Sequence, residues 1–292
     1  MGLFNYSKPG PGIEKDAPKK KGVFLFFEIF FRKFWKLCQV TMLHFICSLP
    51  IMIINFFLLT PGIVSFLSSV SANDPVFTSN VVAQYTTAMS VFIILTLLVF
   101  CGSGPASAGS AYIHRCFARE EHAWIWSDFF NKMKENFKQG MLVAVADIAV
   151  INLGLVAMRF YYNYFLQTGN DLWFILLFVL LIFLVIFVFS NFYIYQLMVT
   201  FESGIVNLFK NSFIMALATM PVNIILSLII IAASFFFYMT FEPIFAVLLS
   251  FLLISGLFRF MIEFYASSVV KKKILNNMPQ TTNDEPDDRG EN

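Results

Sequence analysis

Along the chain, long apolar runs alternate with short polar joins. A bilayer's hydrocarbon core, about 30 Å thick, needs roughly 20 apolar residues in a helix to cross it. Six stretches reach that length: 35–59, 85–112, 139–163, 173–199, 211–238 and 243–266. The pattern predicts an all-α fold, a polytopic membrane helix bundle of about six transmembrane helices. The joins Leu166–Leu172 and Met239–Glu242 are short, so spans three and four, and spans five and six, are expected as antiparallel hairpins. Elsewhere the apolar positions shift to a helical period with one polar face. Phe24–Lys36 sets Phe against Glu28, Arg32, Lys33 and Lys36, reading either as a helix lying in the membrane interface or as an extension of the first span. In Ala123–Gly140, Trp124, Trp126, Phe129, Phe130, Met133 and Phe137 recur opposite Asp128, Lys132, Glu135 and Lys138. That amphipathic pattern predicts an interfacial helix, either capping the membrane core or docking a partner.

Composition agrees: 58% of residues are hydrophobic, 13% are charged and 38 are Phe, which excludes an ordinary soluble domain. The placement of charge adds topology. Under the six-span reading, nineteen of the twenty Lys and Arg residues fall on one side, so both termini and the longer even-numbered joins are expected in the cytoplasm. The exception, Arg159, stands among Phe160, Tyr161, Tyr162 and Tyr164, an aromatic belt to which it can snorkel on the outer side. The loop Pro61–Gln84 is expected outside as well. Residues 1–22 read as a basic cytoplasmic tail and not as a signal peptide, 23–270 as one membrane domain with an amphipathic cytoplasmic segment at 113–138, and 271–292 as a polar, disordered tail. Cys38, Cys47, Cys101 and Cys116 have neither paired nor metal-ligand spacing and read as small buried hydrophobes.

A weak internal repeat accompanies this layout. Spans one, three and five are entered through FRKFWKL (31–37), FNKMKEN (130–136) and IVNLFKN (205–211), each a short amphipathic stretch before an apolar run. Three hairpins, each introduced by an interfacial segment, would follow. Any span entered from a basic side tends to look like this, so coincidence is the competing account.

Candidate site residues are few. Around Pro105 the small residues Gly102, Gly104, Ala106 and Ser110 permit close helix approach, and the proline predicts a kink or a break. Tight packing and a cavity-lining kink are both open. Charges in mid-membrane cost about 2.5–3.5 kcal/mol each, which singles out Asp147, Arg259 and Glu263. Asp147 has no cation one turn away, and its depth suggests a pairing with Arg259; Arg259 also lies where it can snorkel. His44 reads as a hydrogen-bonded structural residue. Ser103 lies in CGSGP, which lacks the first glycine of a nucleophile elbow. No catalytic, cofactor, metal or nucleic-acid-binding pattern stands out, so no enzymatic activity is expected.

The run Gly104–Arg115 (GPASAGSAYIHR), with WSDFF at 126–130, KENFKQ at 134–139, Leu49–Pro50 and KNSFIMAL at 210–217, resembles the YesL-like family of bacterial integral membrane proteins of unknown function. The resemblance covers most of the chain apart from its tails; Ser107 and Ser110 stand where other small residues are expected. It implies a multi-pass membrane protein associated with carbohydrate uptake systems, and it carries no established site residues. The expected partners are the bilayer and subunits of a membrane transport complex, through an accessory or regulatory role. A transporter or channel with a cavity near Pro105 and Asp147 is the alternative.

Overall fold

A computed structural model of the protein describes residues 22–71, 104–240 and 254–273, and its regular structure there is entirely helical. The chain runs through α1 (Val23–Arg32), α2 (Phe34–Ser71), α3 (Pro105–Ala118), α4 (Ile125–Glu135), α5 (Phe137–Thr168), α6 (Asp171–Met198), α7 (Ile205–Ala218) and α8 (Met220–Thr240). A π-helical turn at Ile254–Phe258 then leads into α9 (Arg259–Lys273). Among the described residues, α2, α5 and α6 are long and apolar enough to cross a bilayer, and the bent pair α7–α8 makes a fourth if counted as one span. These helices define an all-α membrane protein. Most of the expected second span, and the first half of the sixth, lie outside the described residues.

Three times a short helix stops at one residue and a long helix starts at the next. The breaks are Lys33 (φ −110°, ψ 17°), Asn136 (φ −100°, ψ 15°) and Thr219 (φ −123°, ψ 19°). These values lie close to one another, near the bridge region that turns a chain without left-handed strain. Each break residue still donates its N–H four residues back, to Ile29, Lys132 and Met215, so the short helix is completed before the chain turns. The breaks at Lys33 and Asn136 fall inside the entry segments 31–37 and 130–136 read as a repeat, whereas Thr219 lies eight residues beyond the third, 205–211, which is the first half of α7.

Three expectations are corrected. The fifth span, read as continuous over 211–238, is broken at Thr219, with an 82° angle between α7 and α8. Pro221 explains the break: it has no N–H for the carbonyl of Leu217 and its ring crowds that position, whereas the second residue of a new helix tolerates it. The outer loop expected from Pro61 is helical as far as Ser71, α2 passing through both Pro50 and Pro61. Each proline there costs the helix one hydrogen bond, and α2 carries both without ending. The single interfacial helix expected over Ala123–Gly140 is interrupted at Asn136: α4 ends at Glu135 and Phe137 already opens α5.

The expected hairpin between spans three and four is present. α5 ends at Gly169 in the left-handed conformation, and Asn170 caps α6 by accepting from the Leu172 N–H at 3.0 Å. Beside this tip Phe160, Tyr161 and Tyr164 surround Trp173, the aromatic belt read in sequence with a tryptophan added. α6 changes character along its length. Many large apolar side chains from Leu172 to Val185 are exposed, while all residues from Phe189 to Met198 are buried.

The core sits at that buried half of α6, against α3, α7 and α9. α3 is its centre, with nearly every residue from Pro105 to Phe117 buried. Two glycines let it sit so deep. A Cβ on Gly109 would lie 2.8 Å from the Phe129 carbonyl oxygen, and one on Gly140 would lie 2.8 Å from Pro105 Cα. α1 closes the bundle by burying Phe26 and Ile29, with Phe26 stacked on Phe260 at 5.4 Å, while Phe24, Phe27 and Phe31 face outward. Phe24–Lys36 is not a continuous extension of the first span: α1 is a separate short helix, cut from α2 at Lys33.

Candidate functional site

Three helices, α3, α6 and α9, present polar residues at one spacing. Ser110 and His114, Asn191 and Tyr195, and Arg259 and Glu263 are each four residues apart, with a buried isoleucine (Ile113, Ile194, Ile262) directly before the second member. Four residues is just over one turn, so each pair lies on one face of its helix. The long helices that follow two of the breaks contribute at a matching position. His44 lies eleven residues after Lys33 and Asp147 eleven after Asn136; the corresponding residue of α8 is the buried Ile230.

These side chains form a buried polar core. Arg259 Nε donates to Glu263 Oε1 at 2.9 Å and to Ser110 Oγ at 3.1 Å, and its Nη1 donates to His44 Nε2 at 3.1 Å. The other Glu263 oxygen pairs with His114 Nδ1. Because a guanidinium only donates, His44 Nε2 is an acceptor, and that imidazole is neutral in this arrangement. Arg259 and Glu263 are almost wholly buried, so the pair persists on its hydrogen bonds, the condition under which a buried ion pair offsets its desolvation.

Asp147, fully buried, accepts from Asn191 Nδ2 at 3.0 Å. It faces the interior as expected. Arg259, the partner read for it, makes an ion pair with Glu263 at 2.9 Å. Arg259 does not snorkel: it is 3% exposed. His114 and Ser110 were missed because one stands near a basic join and the other in a run of small residues. The i, i+4 spacing shared with Arg259 and Glu263 was the available signal.

Between the two halves of this core lies a cavity of about 10 Å³, lined by Asn191, Phe192, Tyr195, Gln196, Arg259, Ile262 and Glu263. That is about the room one water needs. Asn191 donates to Asp147, and Gln196 Nε2 donates to the Ala111 carbonyl at 3.0 Å, while the side-chain oxygens of both have no hydrogen-bond partner among the described residues. The cavity has a mixed lining, with Phe192, Tyr195 and Ile262 beside the polar groups, and is far smaller than a sugar.

The remaining sequence candidates divide into structural and exposed groups. Gly104 (φ 61°) and Pro105 start α3, so the proline breaks the chain here instead of kinking a helix, and Ala106 is buried in the core. Arg115 Nη1 donates to the Val199 carbonyl and to Thr200 Oγ1, both at 2.8 Å, fastening the α6–α7 loop to α3; burial lowers its pKa from the ordinary value. Asp128 accepts the Trp124 N–H at 2.8 Å and stabilises the start of α4. The single aromatic face expected of this segment is split. Phe129 is fully buried under Gly109 and Phe130 half-buried beside it, whereas Trp124 and Trp126 are 71% and 63% exposed.

An open cleft of about 1060 Å³ adjoins α4. One wall is Lys132, Lys134, Glu135, Asn136, Lys138 and Gln139; the other is the α6–α7 loop through Gly204. Gln139 Nε2 joins the walls by donating to the Ser203 carbonyl at 2.9 Å.

Residues 83–164 match the family model described as "Protein of unknown function, DUF624". The match takes in α3, α4 and most of α5, hence Ser110, His114, Asp147 and the exposed tryptophans, and its description assigns no activity. No curated protein and no solved structure matches the chain.

Proposed function

We propose that this protein is a non-enzymatic accessory subunit of a membrane transport system, engaging its partner through α4 on the cytoplasmic side. The observation that carries this reading is the division of labour on α4. Phe129 locks the helix into the bundle while Trp124 and Trp126 are largely exposed near its start, and the other end of α4, from Lys132, walls an open cleft. A rigid helix presenting large aromatic side chains is what a protein contact uses as its anchor. Both termini are assigned to the cytoplasm by the one-sided Lys and Arg distribution. The resemblance to the YesL-like family supports a link to carbohydrate uptake.

Co-purification from native membranes tests it, comparing wild type with Trp124→Ala/Trp126→Ala. A stoichiometric transport subunit recovered with the wild type and lost with the variant is expected. Recovery of none, together with solute flux in liposomes holding this protein alone, rejects the accessory role. A second reading, a transporter in its own right, is favoured by the buried polar core and its cavity, since ionisable residues inside a membrane domain commonly mark ion or proton pathways.

A further inference from the structure

The cleft beside α4 has a charge pattern that its neighbours leave unmatched. Lys132 Nζ pairs with Glu135 Oε2 at 2.6 Å, leaving Lys134 and Lys138 against Glu202. Lys134 and Lys138 are both exposed. Within reach on the same chain is a segment of the opposite sign: Asp284, Glu285, Asp287 and Asp288, followed by Arg289 and Glu291.

Geometry brings the two together. α9 ends at Lys273, whose Nζ donates to the Ala218 carbonyl at 3.3 Å, so the tail leaves the fold at the C-terminal end of α7. α7 begins directly after Gly204, which lines the cleft. Its 14 residues span about 21 Å at 1.5 Å each. The ten residues 274–283 can extend to about 33 Å, so Asp284 can reach the cleft with chain to spare. Lys210 lies exposed on α7 between the two points and offers a further positive charge along the way.

We propose that the acidic segment Asp284–Asp288 of this chain seats in the cleft between the α4–α5 junction and the α6–α7 loop, held by Lys134 and Lys138. The contact is electrostatic and partly hydrated, so it weakens with salt. It covers the cleft without requiring any partner at Trp124 and Trp126, so the two proposals fail separately.

The test uses the full chain in lipid nanodiscs. Zero-length carbodiimide cross-linking should join Lys134 or Lys138 to an acid within 284–288, in the monomeric band. In parallel, a protease that cuts on the N-terminal side of aspartate should cleave the Asn283–Asp284 bond about tenfold more slowly in the wild type at low salt than in Lys134→Glu/Lys138→Glu or at high salt, as for a segment docked about nine-tenths of the time. Both substituted lysines are exposed, so the double variant keeps its fold. Equal cleavage rates overturn the proposal, as do cross-links confined to pairs of chains or to lysines outside the cleft.

Discussion

At the residue scale the buried core is a problem of unpaired charge. Arg259 lies twelve residues before Lys271, about 18 Å along α9, and so cannot reach the basic end of its own helix. Its charge is held where it is by Glu263, Ser110 and His44. Removing one member of a buried pair costs about 3–5 kcal/mol, because the other is stranded, whereas removing both can be close to neutral. Arg259→Gln and Glu263→Gln are therefore each expected to lower the melting temperature of the purified protein strongly, with the double variant losing less than the two together. Strictly additive losses would show that the side chains do not couple. Much of this was legible in the sequence, since a charge in an apolar run is costly by composition alone and Asp147, Arg259, Glu263 and His44 stood out. Glu263 one turn on from Arg259 was legible too; the contacts of these residues with Ser110, His114 and Asn191 on other helices were not, because helical rotation is set by packing among α3, α6 and α9. A hydropathy profile does not carry that information.

At the element scale the repeated device is a short helix, one break residue and a long helix. Amphipathic entries in the sequence coincide with the breaks at Lys33 and Asn136, but the same profile hid the break at Thr219. Flanking apolar residues average across it, and Pro221 is the one local mark of where α8 starts. Close approach of α3 to its neighbours depends on Gly109 and Gly140, both of which leave no room for a Cβ against backbone atoms. Gly109→Ala and Gly140→Ala are each expected to destabilise by about 1–3 kcal/mol through overpacking. Gly204→Ala, with no atom within 4 Å of its new Cβ, is expected to change stability by less than about 0.5 kcal/mol. Thermal melting of the three variants in one detergent checks this, and a Gly140→Ala protein as stable as Gly204→Ala would contradict the close α3–α5 contact.

At the scale of the whole molecule, α4, the cleft and the Lys271–Lys273 end of α9 belong to one side, and the Gly169–Asn170 tip with its aromatic cluster belongs to the other. α5 sets the separation. Its 32 residues measure about 48 Å, well beyond the roughly 30 Å of hydrocarbon, so its ends cannot share a leaflet without a break that the helix does not have. Phe160, Tyr161, Tyr164 and Trp173 then fall at one interface, where aromatic rings are favoured, and Lys134 and Lys138 at the opposite one. The excess of Lys and Arg predicts that the latter is the cytoplasmic one. In a background with Cys38, Cys47, Cys101 and Cys116 replaced by Ala, Asn170→Cys should therefore react with a membrane-impermeant thiol reagent on intact cells. Lys134→Cys and Lys272→Cys should react only after permeabilisation. If Lys134→Cys and Lys272→Cys label on opposite sides, α4 and the end of α9 do not share a face, and the proposed tail contact falls with the topology. If both label on intact cells while Asn170→Cys does not, the bundle is inverted and α4 cannot meet a cytoplasmic partner.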